Sequence, residues 1–269
     1  MTTYKPINPS IDSRNNISKG LILDLPMGEQ SFSGPVKDVT NRKYDGVING
    51  TLTSTNGLFG KCYDYPNALT DYIEIDSRFE LDFSNPWTVS IWMHADSFGG
   101  GGFATPWQFK TSSSVGFILF INDNNVGYKS VSFGSASVFP NLQTVTAITS
   151  TIQNVWSNIV LTYNGGTASS ASSYELFVNA VSRPTQVAGA FGAVSQTNWI
   201  GRGDSASTYF DGKIDSLFAW NRALREEEIV EIYENPHAVN RPRRPVISRV
   251  PVVGGSFAPY YYTKLLAGT

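Results

Sequence analysis

The sequence predicts an all-β protein of antiparallel sheets packed face to face, and three observations carry that prediction. Short β-like runs bounded by Gly, Asn, Asp or Pro recur from Gly20 to Trp220. Several alternate in period two: Ile73 and Ile75 against Tyr72, Glu74 and Asp76, and Val89, Ile91 and Met93 against Thr88, Ser90 and Trp92. Composition agrees, with 13% aromatic and only 16% charged residues, and 24 Gly and 14 Pro to punctuate the runs. At 269 residues the chain can bury one large core.

In chain order, residues 1–19 are a polar arm containing Pro6 and Pro9, with no core pattern. Strands are expected in "GLILDLPM" (20–27), "GVINGTLT" (46–53), "KCYDYP" (61–66), "DYIEI" (71–75) and "WTVSIWMHA" (87–95). They continue in "VGFILFIN" (115–122), "VGYKSVSFG" (126–134), "QTVTAITST" (143–151) and "WSNIVLTYN" (156–164). The last are "YELFVNAVSR" (174–183), "NWIGRGD" (198–204) and "GKIDSLFAWNRAL" (212–224). One helix is expected in "LREEEIVEIYENP". Leu224, Ile229, Ile232 and Tyr233 form its stripe, three glutamates sit in its first turns, and Pro236 ends it. The glycine runs at 99–102 and 165–166 read as loop tips, because no helix start follows either.

Charge divides the chain. Residues 236–269 hold Arg241, Arg243, Arg244, Arg249 and Lys264 with no Asp or Glu, so a net charge of −2 leaves −7 on the rest. Such a tail on an acidic body can mean nucleic acid and can equally mean docking onto an acidic protein neighbour. No run is long and apolar enough to span a membrane, and "MTTYKPINPSIDSRNN" has no signal-peptide core. The sequons at Asn16 and Asn49 are therefore read as chance matches. Cys62 is the single cysteine, expected as a small buried thiol. With only His94 and His237, no His-based triad or zinc cluster can be assembled.

"DYIEIDSRFE" (71–80) superficially matches the E-x-D-x-E strand of laminarinase-type glycoside hydrolases. Glu74 and Glu80 are six apart, however, one more than the bulged form allows, so a strand end is expected and not an enzyme.

The ordered series "LILDLPMGE", "DVTNRKYDGVINGTLT", "GLFGKCYDY", "DYIEI", "WTVSIWMHAD", "VWSNIVLTYNGG", "YELFVNAV", "NWIGRG" and "YFDGKIDSLFAWNRALREEEI" resembles LamG-like, concanavalin A-like jelly-roll domains. The resemblance runs from about residue 20 to 234 and implies a two-sheet jelly-roll sandwich over 20–235, flanked by the arm 1–19 and an extension 236–269. Gly46, Gly50, Gly60 and Gly212 fall where turns admit positive φ. Trp87, Trp92, Trp156, Trp199 and Trp220 fall where rings can bridge two sheets. Ala180 replaces the usual turn glycine, and Arg225 the usual Ser/Thr N-cap, so that Asn221 or water must serve the first helical amides.

The resemblance also implies a structural Ca²⁺ held by Asp38, Asn41 and Asp215, against Asx-turn and buried hydrogen-bond roles for the same residues. Arg202-Gly203-Asp204 is read as an ordinary loop. Sugar-binding platforms could come from Trp107, Asn122, Asp123, Asn124, Tyr128 and Tyr209. The Pro/Arg-rich ending resembles those of bacteriophage-encoded LamG-like proteins. It implies a non-catalytic virion component, oligomeric and anchored to capsid or tail proteins by Arg241, Arg243, Arg244, Arg249, Tyr260, Tyr261 and Tyr262. A host-surface glycan is a further expected partner, and a free lectin-like module is the alternative.

Overall fold

A computed structural model describes residues 16–27, 34–66, 68, 70–97, 103–113, 115–124, 128–135, 139–145, 152–187, 194–204, 208–236 and 238–240. The chain begins with β1 (Leu21–Pro26), β2 (Gly46–Asn49), β3 (Thr53–Asn56), β4 (Lys61–Pro66) and β5 (Tyr72–Ile75). Long strands follow: β6 (Trp87–Ser97), β7 (Phe103–Phe109), β8 (Phe117–Asn124), β9 (Tyr128–Ser135), β10 (Phe139–Thr144) and β11 (Trp156–Tyr163). The rest are β12 (Tyr174–Val178), β13 (Val181–Arg183), β14 (Thr185–Val187), β15 (Trp199–Ile200), β16 (Asp211–Trp220) and the helix α1 (Glu226–Glu234).

Two eight-stranded sheets result. Sheet A runs β13-β12-β11-β6-β16-β4-β3, with β1 also on β16, and sheet B runs β14-β10-β9-β8-β7-β15-β5-β2. Every pairing between named strands is antiparallel, the two-sheet sandwich that the period-two pattern predicts. A bulge between Ile214 and Ser216 divides β16, whose two halves pair with β4 and with β1.

The inner faces meet in an aromatic core. Trp87 of sheet A lies edge-on to Phe117 of sheet B at 5.6 Å, and Phe117 stacks on Tyr174 at 5.9 Å. Each such ring contributes roughly 1.5–3 kcal/mol through burial. Trp92 and Trp220 do not bridge the sheets as expected. Their side chains lie on the outer face of sheet A, where Trp92 stacks on Tyr233 of α1 at 5.5 Å and Trp220 Nε1 donates to the Ile17 carbonyl at 2.7 Å.

That outer face carries a second core: Val160, Phe177, Phe218 and Trp220 covered by Leu224, Ile229 and Ile232 of the helical segment. Ile17, Ala238 and Val239 belong to it too. The domain therefore reaches further than 20–235. The end of the expected arm and the start of the expected tail are folded onto it, adding Ile17, Ala238 and Val239 to the cover that α1 provides. Arg225 occupies the N-cap position of α1 with no side-chain cap hydrogen bond, and its carbonyl accepts the Glu228 and Ile229 amides at 3.0 Å. The Glu228 carboxylate accepts the Arg225 amide at 3.0 Å and both Arg222 guanidinium nitrogens at 2.8 and 2.9 Å.

"GVINGTLT" is two strands and not one. After Gly50 the chain leaves sheet B and enters sheet A as β3. The strand expected over 143–151 begins earlier, as β10, and residues 146–151 lie outside the described set. Gly46 is not a positive-φ residue; it sits inside β2, where a Cβ would come within 2.6 Å of Ile73 Cγ2. Asn179 and Ala180 form the two-residue turn between β12 and β13, both left-handed at φ 54° and 59°, so Ala180 carries the expected strain. Cys62 is buried, as expected.

Candidate functional site

The outer face of sheet B is built differently from that of sheet A. Cross-strand register puts Val47, Glu74, Trp199 and Gln108 in one row on this face. Val47 is 59% exposed, Glu74 is exposed and Trp199 half-buried. Tyr72, two residues before Glu74, shares the face by alternation, and its ring lies 5.6 Å from that of Trp199 at 59°.

Over both rings lies the Arg202 guanidinium, 4.4 Å from the Trp199 centroid and 4.8 Å from that of Tyr72. Local backbone aims it there. Gly201 is left-handed at φ 86° and a Cβ on it would overlap the Tyr65 ring. Arg202 then pairs with Tyr209 in an antiparallel bridge that closes the following loop. Arg202-Gly203-Asp204 is thus an internal brace. The Asp204 carboxylate accepts from the Ser195 amide and hydroxyl and from Gln108 Nε2, while Gln108 Oε1 accepts the Asp204 amide at 3.1 Å. This clasp holds the 194–204 segment against β7.

Of the sugar candidates, Trp107 is corrected: it is 1% exposed and stacks on Phe109 inside the core, so it offers no platform. Asn122, Asp123, Asn124 and Tyr128 lie where β8 and β9 pair, Asn124 opposite Tyr128. Tyr209 is half-buried beside Arg202. Sequence reasoning had placed Trp199 between the sheets and Arg202 in a bland loop, and missed Tyr72. The signal was available in the alternation around Ile73 and in the Trp-Ile-Gly-Arg spacing.

The carboxylates of "DYIEIDSRFE" do not converge. Glu74 is on the face just described. Asp76, in the turn after β5, is gripped by Arg78 at 2.6 Å, whose hydrogen bonds hold that carboxyl below its usual range. Glu80 stands 3.6 Å from Lys110.

Of the residues expected to hold calcium, Asp38 and Asp215 are each engaged by protein donors. Asp38 Oδ1 accepts the amides of Asp24 and Thr40, and Oδ2 accepts the Thr40 hydroxyl and the Tyr44 amide, at 2.7–3.1 Å. Four N–H and O–H dipoles thus point at a 1%-exposed carboxylate, an arrangement that suits an anion and does not fit a Ca²⁺ ligand. Asp215 accepts the Phe59 amide at 3.2 Å and the Ser216 hydroxyl at 3.1 Å, and Asn41 is exposed in a turn. Among the described residues no group of three or more His, Cys, Asp or Glu is disposed to hold a metal.

The uncovered part of the outer face of sheet A is polar. Asp64, Lys213, His94 and Trp156 line up across four strands by register. Lys213 and His94 both reach Asp96, at 3.1 and 2.6 Å. Burial raises the Asp64 carboxyl above its usual range; Lys213 opposes this, and Asp96 and Asp211 add to it. A cavity of about 100 Å³ beside Trp87, Asp82 and Asn85 has room for a few waters and not for a sugar ring. His237, Arg241, Arg243, Arg244, Arg249, Tyr260, Tyr261 and Tyr262 lie outside the described residues.

Comparison with solved structures finds the same sandwich. Domain 4 of AbnA, a GH43 extracellular arabinanase from Geobacillus stearothermophilus seen in complex with arabinotriose, superposes with TM-score 0.55 at 16% identity. That match covers 79% of this chain and 98% of that one. Trypanosoma rangeli sialidase gives 0.55 at 14% identity, over 82% of this chain and 34% of its own. The receptor-binding domain of botulinum neurotoxin D gives 0.52 at 13% identity, over 82% and 54%. The chain thus spans about a third of the sialidase and about half of the toxin domain. At these identities the likeness is one of fold. A search of curated proteins returns no match. A family profile covers residues 67–230, more than half of the chain, and with the two-sheet topology it establishes that this protein belongs to the concanavalin A-like lectin/glucanases superfamily.

Proposed function

We propose that this chain is a non-catalytic glycan-binding module whose contact surface is the outer face of sheet B around Tyr72, Trp199 and Arg202. The observation that carries this reading is the half-exposed aromatic pair with a guanidinium laid over it, flanked by exposed Val47 and Glu74. Aromatic side chains offer a saccharide an apolar surface, and a carboxylate beside them can accept its hydroxyls. The separate engagements of Asp76 and Glu80 support a binding and not a hydrolytic role, because retaining and inverting chemistry both need two facing carboxyls. Domain 4 of AbnA, with its arabinotriose, exemplifies such binding on this fold. A glycan panel tests the reading: binding that Trp199→Ala abolishes supports it, and binding untouched by that change would sink it.

Within this role we keep the finer reading of an exposed head on a phage virion component, anchored through residues 241–269. It rests on a tail of charge +5 that follows a core already closed by Val239. A chain ending at Asn240 is expected to melt like the full chain yet fail to join its particle or oligomer. Unchanged assembly by that shortened chain would refute the anchoring role.

A further inference from the structure

We infer that the sheet B site selects carboxylate-bearing sugars, with Arg202 as the group that reads the carboxylate; this rests on the glycan-binding reading above. Several cationic side chains are held in ion pairs. Arg78 faces Asp76, Arg222 faces Glu228, and Lys213 faces Asp96. Arg202 differs. Among the described residues no carboxylate lies within ion-pair reach of it, and its Nε is buried without a hydrogen-bond partner. What it has instead is the two ring faces at 4.4 and 4.8 Å. Ring faces attract a guanidinium by about 0.5–1 kcal/mol at an exposed site and leave its in-plane N–H groups unused. With Nε buried, the two terminal Nη groups form the planar fork that can meet a carboxylate with two parallel hydrogen bonds.

The fork is also preorganised. The two rings hold the guanidinium in place, and the Arg202–Tyr209 bridge and the constrained Gly201 fix its backbone. A ligand therefore does not bear the cost of immobilising a long side chain, which is ordinarily about 0.5–1.5 kcal/mol.

Glu74 narrows the ligand class. It stands on the same face, directly across from both Trp199 and Val47. A densely charged polymer such as a polyphosphate or a heavily sulfated chain would bring a second anion against it. A sugar with one carboxylate can place that group on Arg202 and its hydroxyls toward Glu74. Uronic and sialic acids share this chemistry.

The test titrates the full chain with two matched pairs: methyl galacturonoside against methyl galactoside, and sialyllactose against lactose. At least one acidic ligand is expected to bind ten-fold or more tighter than its neutral partner, and the preferred pair tells uronate from sialate. Arg202→Gln should remove that preference, and Arg202→Lys should restore only part of it, since an ammonium keeps the charge without the fork. Unaltered melting curves certify that both variants fold. Equal binding of acidic and neutral sugars would overturn the selectivity while leaving the glycan-binding reading intact. Acidic binding undiminished in Arg202→Gln would place the carboxylate elsewhere, and no binding by any of the four would count against both proposals.

Discussion

The two outer faces of this sandwich spend their aromatic residues in opposite ways. On sheet A, Phe218, Trp220, Phe177 and Trp92 are dried by α1, Ile17 and Val239, and Trp220 even satisfies its indole N–H on the covering chain. On sheet B, Tyr72 and Trp199 stay half-exposed, with one guanidinium over them. The same residue types yield stability where a second layer covers them and, in the glycan-binding reading proposed above, a recognition surface where none does. An aromatic residue on a β-strand therefore says little about its role until its cover is known.

The largest expected effect comes from breaking the covered face. Ile17→Ala should cost about 2–5 kcal/mol, since it opens a cavity beneath fully buried neighbours, and the loss should appear as a lower denaturant midpoint. Glycan binding by the still-folded fraction should not change, because Ile17 packs over the opposite sheet. Glu228→Gln should follow at about 1.5–3 kcal/mol, the range for charge-assisted hydrogen bonds. Burial disfavours this carboxylate, yet hydrogen bonds from Arg222 and the Arg225 amide outweigh it and leave Glu228 below its usual value of 4.5. A lowered folded-state value means that the unfolded chain binds more protons. The contribution is thus present above about pH 4.5 and fades as pH falls through the folded value. Wild type should lose stability across that acid range more steeply than the Gln variant in a pH series of melting curves.

Ala180→Gly sharpens the contrast by leaving both faces alone. It relieves a left-handed alanine and should add about 1 kcal/mol, read as a rise in melting temperature with unchanged binding. On the open face, Trp199→Ala should cost less stability than any fully buried ring would, while removing the binding signal. The smallest effect is expected at the polar part of sheet A. Asp64 is raised, so its ionisation opposes folding at neutral pH, and Asp64→Asn should stabilise slightly. That gain should vanish as pH falls to the ordinary Asp value of 3.8, where the carboxylate is protonated in the unfolded chain as well.

Much of this was legible in the residues themselves. Alternation at Tyr72–Ile75 and Thr88–Met93 specified strands and their inward faces, since a period of two can bury only one side. The "EEEIVEIYE" stripe specified the helix, Asn179-Ala180 specified a tight hairpin, and the spacing of Glu74, Asp76 and Glu80 already argued against a hydrolytic pair. Local pattern determines these features because they depend on neighbours within a few residues.

Tertiary structure alone decided the rest. Gly50 could not announce that the chain changes sheets there. Ile17 and Val239, more than two hundred residues apart, could not be recognised as parts of one roof. Asp38 reads as a metal ligand in sequence, and only the fold reveals the four convergent donors that cradle its carboxylate. Trp199 and Arg202 became a surface because Tyr72 arrives beside them from a strand more than a hundred residues earlier, and because no segment among the described residues lies across them. Cover and convergence are properties of where distant segments meet, and a one-dimensional pattern carries outward and inward without saying what, if anything, waits outside.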